Sequence, residues 1–218
     1  MLLYMHGFGS GPSSHKARHL ADRFAAAGAH LEVPDLTPGE DGFERSTPSS
    51  MLAEAERRLE GTAPPHAIVG SSLGGYLAAV AAGRDQGIER LVLLAPAFRL
   101  FERWDARLGA AERKEWRERG REVFHFASGR LRRLGWQFHE DARRFPPFPE
   151  VRIPTLCIAG RRDEAVPPED VAAFVERTPL ARLVLVDDTH ELARSLDLIF
   201  EEALAFLRPP GIAGPPAG

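Results

Sequence analysis

The sequence predicts a doubly wound, mostly parallel α/β sheet of about six strands, interrupted once by an inserted segment. Three observations carry this. Short apolar runs recur along the chain. Helix-like stretches separate consecutive runs. The alternation fails only over residues 98–152. The chain has 218 residues, enough for one domain with a core that needs no disulfide or metal staple.

The first run is Leu2-Leu3-Tyr4-Met5, followed by the weaker His30-Leu31-Glu32-Val33. Then come His66-Ala67-Ile68-Val69, Leu91-Val92-Leu93-Leu94-Ala95, Thr155-Leu156-Cys157-Ile158-Ala159 and Leu183-Val184-Leu185-Val186. Continuous apolar runs, rather than alternating ones, fit strands buried on both faces of a parallel sheet. Helices are expected over 14–27, 49–59, 73–82, 168–177 and 192–207. Ser13 and Ser14 are candidate caps of the first, and Gly28, Gly61 and Gly83 are candidate stops. Within 98–152, a dense charge run over 109–121 predicts a solvated helix with Glu–Arg pairs. Val123-Phe124-His125-Phe126 before Ala127-Ser128-Gly129 reads as half of a hairpin. A short helix is expected over 139–145, stopped by Pro146-Pro147. The insert holds Trp104, Trp116 and Trp136, all of the tryptophans. The expected organisation is a core of 1–97 and 153–208, an inserted lid over 98–152, and a disordered Pro/Gly/Ala tail over 209–218.

Composition excludes several classes. The net charge of −3 gives no electrostatic reason for a nucleic-acid partner. No apolar run approaches the roughly 20 residues of a membrane span. Met1 to Met5 is too short for a signal segment. A single cysteine, Cys157, allows no intrachain disulfide, and mid-strand it reads as a buried hydrophobe. The expected setting is the cytoplasm.

Gly70-Ser71-Ser72-Leu73-Gly74 fits the pattern G-x-S-x-G. It follows a buried-strand run and precedes a helical one, the strand–turn–helix setting of a nucleophile elbow. Such a turn presents Ser72 Oγ at the carboxyl end of the sheet, beside a helix N-terminus that favours developing negative charge. The bland alternative is a Ser/Gly-rich helix cap. A serine nucleophile needs a base, and His190 follows the last strand run at the same sheet edge. The base needs an orienting carboxylate; Asp163, after the fifth run, is the expected one, with Glu164 and Asp188 as rivals. The chain order is then Ser72, Asp163, His190. The oxyanion hole is expected from the backbone N–H groups of Leu73 and of Phe8, the latter in the loop His6-Gly7-Phe8-Gly9-Ser10-Gly11. His6 is expected to brace that loop by hydrogen bonds.

Other signals weigh less. Gly7-x-Gly9-x-Gly11 resembles a dinucleotide fingerprint, but Pro12 stands where the third glycine belongs, and Asp35 alone suits a ribose. His15 and His19 have metal-binding spacing without an obvious third ligand. No cofactor and no metal are expected.

The His6-Gly7 loop, the Ser72 elbow, Gly160…Asp163 and Asp188-Thr189-His190 together resemble the α/β-hydrolase superfamily. With Ser14-His15-Lys16-Ala17 after the loop, the chain is similar to small bacterial YqiA-type serine esterases. The resemblance covers residues 1–97 and 153–207 and leaves out the insert, which would shape the acyl site. It implies an α/β-hydrolase-like fold and cofactor-free carboxylesterase or thioesterase activity on a small-molecule acyl ester or thioester. Two other readings stand beside it: a non-catalytic α/β-hydrolase-like protein that binds a small ligand, and an acyltransferase using the same three residues. Exposed apolar residues on the insert would equally serve a homodimer.

Overall fold

The computed structural model describes residues 1–39, 41–84 and 87–207. The expected tail over 209–218, and residue 208 at the end of the expected core, lie outside them. The elements run in chain order: β1 (Leu2–Met5), α1 (His15–Ala26), β2 (Leu31–Glu32), α2 (Gly42–Arg45), α3 (Pro48–Glu60), β3 (His66–Ser71), α4 (Leu73–Ala82) and β4 (Ile88–Leu94). Then follow α5 (Leu100–Arg107), α6 (Ala110–Arg119), β5 (Arg121–His125), β6 (Arg130–Leu134) and α7 (Gln137–Ala142). The chain closes with β7 (Thr155–Gly160), α8 (Pro168–Glu176), β8 (Ala181–Val186) and α9 (Leu196–Leu207).

Six strands form one parallel sheet in the order β2-β1-β3-β4-β7-β8. The period-2 geometry of a strand sends successive side chains to opposite faces, and both faces here are apolar. Leu3, Met5, Ile68, Leu91, Leu93 and Cys157 face α3, α4 and α8. Tyr4, Val69, Val92, Leu94, Leu156 and Ile158 face α1 and α9. Two covered faces explain why the strands read as unbroken apolar runs.

The helix termini follow local chemistry. Ser14 caps α1 through Ala17 N–H, and Gly28 beyond it takes φ 79°. Thr47 and Ser50 form a reciprocal capping box on α3, with Pro48 in its first turn. The last helix begins at Leu196 rather than at residue 192: Leu192 has φ 54°, and the Arg194 and Ser195 backbone and side chain turn inward to Asp188.

Residues 98–152 fold onto the first face of the sheet. β5 and β6 form an antiparallel hairpin, with Gly129 at φ 65° in its turn. α5 was not expected from the sequence. α6 is exposed along most of its length; of its residues only Trp116 is buried, and its Nε1 donates to Leu134 O at 2.8 Å. Phe98 stacks on Phe174 of α8 at 4.1 Å. Phe138 of α7 is fully buried, its ring 5.3 Å from Phe8, 5.9 Å from Trp104 and 6.2 Å from Phe101. Among the described residues no helix is long and apolar enough to cross a membrane.

Phe138 thus joins the segment to the β1 loop. Phe138→Ala should cost roughly 3–5 kcal/mol. In equilibrium urea unfolding we expect a single transition at markedly lower urea; an unchanged midpoint would show that this aromatic cluster does not share the main core.

Candidate active site

β3 lies at the centre of the sheet, and Ser72 is the first residue beyond it. Its backbone has φ 53° and ψ −121°, a region non-glycine residues rarely occupy, at a cost of roughly 1–3 kcal/mol. The surroundings impose it. Ser72 N–H donates to Leu94 O at 2.9 Å, and Ser72 O accepts from Tyr76 and Ala97 N–H at 3.0 Å each. A Cβ built at Gly70 would stand 2.6 Å from Gly75 Cα, and one at Gly74 would collide with the carbonyl oxygens of Met5 and His6. Glycine at these two positions lets α4 leave β3 in so tight a turn.

The loops after β7 and β8 supply the partners. The β7–β8 register aligns Gly160 with Val186, so the two loops leave the sheet level with each other. His190 Nε2 lies 3.0 Å from Ser72 Oγ, and His190 Nδ1 lies 2.8 Å from Asp163 Oδ2. Asp163 has no exposed side-chain surface, and its Oδ1 accepts from Ala165 and Val166 N–H at 2.9 and 2.7 Å. A carboxylate at Asp163 only accepts, so Nδ1 carries its hydrogen and the Nε2 lone pair faces the Ser72 hydroxyl.

The rival carboxylates stand elsewhere. Glu164 is exposed. Asp188 is buried but fully engaged: its Oδ1 accepts from Thr189 N–H, and its Oδ2 from Arg194 N–H and Ser195 Oγ. Burial opposes ionisation of Asp188, yet these hydrogen bonds hold its carboxyl below the ordinary aspartate range. Asp188 therefore shapes the loop that carries His190 and does not touch the imidazole.

The β1 loop closes the site from the other side, since β1 and β3 pair with Met5 beside Gly70. His6 is buried; its Nε2 accepts from Leu36 N–H at 3.0 Å, which leaves Nδ1 to donate to Gly7 O at 3.0 Å. This imidazole braces the loop. Phe8 and Ser72 line one cavity of about 610 Å3, and among the described residues no hydrogen bond engages the Phe8 or Leu73 amide. Phe8, Leu100, Trp104, Phe126 and Val166 give the cavity an apolar side; Ser10, Ser13, Ser14, Lys16 and Glu191 give it a polar one. Lys16 Nζ donates to Ser71 Oγ at 3.0 Å, and burial pulls its ammonium below the usual lysine range. Cys157 is buried, and burial pushes its thiol well above the usual range. Among the described residues no group of three or more His, Cys, Asp or Glu is placed to hold a metal.

A family model described as an uncharacterised protein family, UPF0227, matches residues 1–208. The match runs through 98–152, which the sequence resemblance had left out. No curated protein matches the chain. Among solved structures, a presumed hydrolase from Agrobacterium vitis S4 is 25% identical with a TM-score of 0.82, over 95% of this chain and 87% of that one. Alpha/beta hydrolase domain-containing protein 10 from mouse is 21% identical with a TM-score of 0.76, over 95% and 90%. Est1E from Butyrivibrio proteoclasticus, with ferulic acid bound, is 21% identical with a TM-score of 0.78, over 94% and 87%. What these share with the chain is the α/β-hydrolase fold.

The depressed Asp188 carboxyl fixes a sign. Its stabilising contribution is present above the ordinary aspartate range and is lost as the pH falls through the lower, folded value. Asp188→Asn should lower stability by roughly 1–3 kcal/mol at pH 7, with the gap to the parent closing in acid. Urea unfolding at pH 7 and pH 3 checks this; a constant gap would contradict it.

Proposed function

The chain belongs to the UPF0227 family, and we propose that it is a serine hydrolase that cleaves carboxylic esters or thioesters through an acyl-enzyme on Ser72. The observation that carries the reading is the unbroken line from Asp163 through His190 to Ser72 Oγ, opening onto a cavity of about 610 Å3. A serine hydroxyl is a weak nucleophile until a base takes its proton as it attacks.

His190 Nε2 accepts the Ser72 proton as Oγ bonds to the substrate carbonyl carbon. The carbonyl oxygen becomes an oxyanion, held by the backbone N–H groups of Leu73 and Phe8. Collapse expels the alkoxide or thiolate, which takes the proton from Nε2, and leaves the acyl group on Ser72. Water then gives a proton to His190 and attacks the acyl carbon; the carboxylic acid leaves, and Ser72 recovers its hydrogen. Asp163 holds the imidazole in the required tautomer and stabilises the imidazolium formed in each half. Strain at Ser72 keeps Oγ presented throughout. Residues 98–152 act as the lid, placing Leu100, Trp104 and Phe126 over the acyl group. The Est1E complex holds an aromatic acid, and the aromatic lining here suits a comparably apolar acyl part.

Ser72→Ala should lower kcat for 4-nitrophenyl butanoate by roughly 10³-fold or more, because the three residues act as a unit. Asp163→Asn should be severely impaired and Asp188→Asn much less so. Near-normal turnover by Ser72→Ala would sink the assignment.

A further inference from the structure

Lys16 is an unusual presence in this cavity. Of 28 basic residues only Lys16 and Lys114 are lysines, so a chain that mostly uses arginine places a compact point charge here. Its Nζ donates to Ser71 Oγ, on the residue directly before Ser72. An ammonium has three hydrogens to donate, and Ser71 takes one. Among the described residues no carboxylate forms an ion pair with it; Glu191, Asp163 and Asp188 act on it only at longer range. Glu191 is exposed at the cavity rim.

A partly desolvated cation without a paired anion is costly. Here it lies in the cavity that also holds Ser72 and His190, with Ser10, Ser13 and Ser14 on the same polar side. The first turn of α1, where Lys16 sits, contains no acidic residue to neutralise it. A cavity with an apolar lid on one side and a charged amine with spare hydrogens on the other is matched by a two-ended molecule.

We infer that the cavity takes an ester or thioester bearing a carboxylate, which pairs with Lys16 Nζ while the scissile carbonyl sits at Ser72. This rests on the hydrolase reading of the site and narrows its substrate class. Lys16 sets specificity and takes no part in bond making.

Binding to the Ser72→Ala protein reads the anion site without turnover. The affinities of 4-nitrophenyl hydrogen glutarate (carboxylate on the acyl side) and 4-(butanoyloxy)benzoate (carboxylate on the leaving-group side) would be measured by calorimetry against neutral 4-nitrophenyl pentanoate. A charge-assisted contact predicts that at least one anionic ester binds roughly ten- to a hundredfold more tightly than the neutral one. Adding Lys16→Met should erase that preference while neutral binding and the melting temperature stay close to those of the parent. Equal affinity for all three esters, or a preference that survives Lys16→Met, would overturn the proposal and leave Lys16 as a tie between α1 and β3. Should Lys16→Met not fold, the comparison among the three esters still decides. Turnover of the neutral ester by the unmutated protein reports separately on the hydrolase reading: turnover without anion preference removes only this inference, and anion preference without turnover removes only the hydrolysis.

Discussion

The geometry depends on one close approach of backbone to backbone. The start of α4 passes so near the end of β1 that any side chain at Gly74 would strike the Met5 and His6 carbonyls. That contact fixes the turn between β3 and α4, and the turn holds Ser72 at positive φ. The same contact sets the β1 loop alongside the serine. His6, tied to Leu36 and Gly7, then holds Gly7 so close to it that a Cβ there would stand 3.2 Å from Ser72 Cβ. A tightly packed interior cannot absorb an added methyl at such a point without moving the helix or the strand.

The opposite wall is built by division of labour between two aspartates. Asp163 uses one oxygen to hold its own loop, through Ala165 and Val166 N–H, and the other to hold His190. Asp188 spends all its hydrogen bonds on Thr189, Arg194 and Ser195, shaping the loop from which His190 projects. A sheet register that levels the two loops lets side chains 27 positions apart meet at 2.8 Å. The aromatic cluster of Phe8, Trp104 and Phe138 ties the 98–152 segment to this edge, so the cavity gains Leu100, Trp104 and Phe126 from the segment and Ser10, Ser13, Ser14 and Lys16 from the β1 loop and the start of α1.

Much of this was legible in the residues. Burial on both faces makes a strand visible as an apolar run, and five of the six sheet strands announce themselves that way. β2 is weaker because only Leu31 and Glu32 pair, at the sheet edge. The glycines around Ser72 mark the elbow because no other residue fits there. α5 leaves no clear pattern in the sequence because arginines and aromatics are mixed along it, and it starts after Arg99 in the left-handed region. α9 starts later than the apolar pattern predicts because Asp188 holds Arg194 N–H and Ser195 Oγ, a tertiary effect that local propensity does not record. The choice between Asp163, Glu164 and Asp188 turns on burial and on which amides each one meets. Lys16 owes its position to a contact with Ser71, 55 residues away, which no local pattern encodes.

The proposed hydrolysis requires Ser72 to be an activated nucleophile. The most direct measurement treats the folded protein with a fluorophosphonate and maps the adduct by mass spectrometry, beside Ser72→Ala. An activated Ser72 gives a single phosphonyl adduct there, absent from the variant. A folded protein that forms no adduct, or one that is labelled elsewhere and equally in the variant, would contradict it.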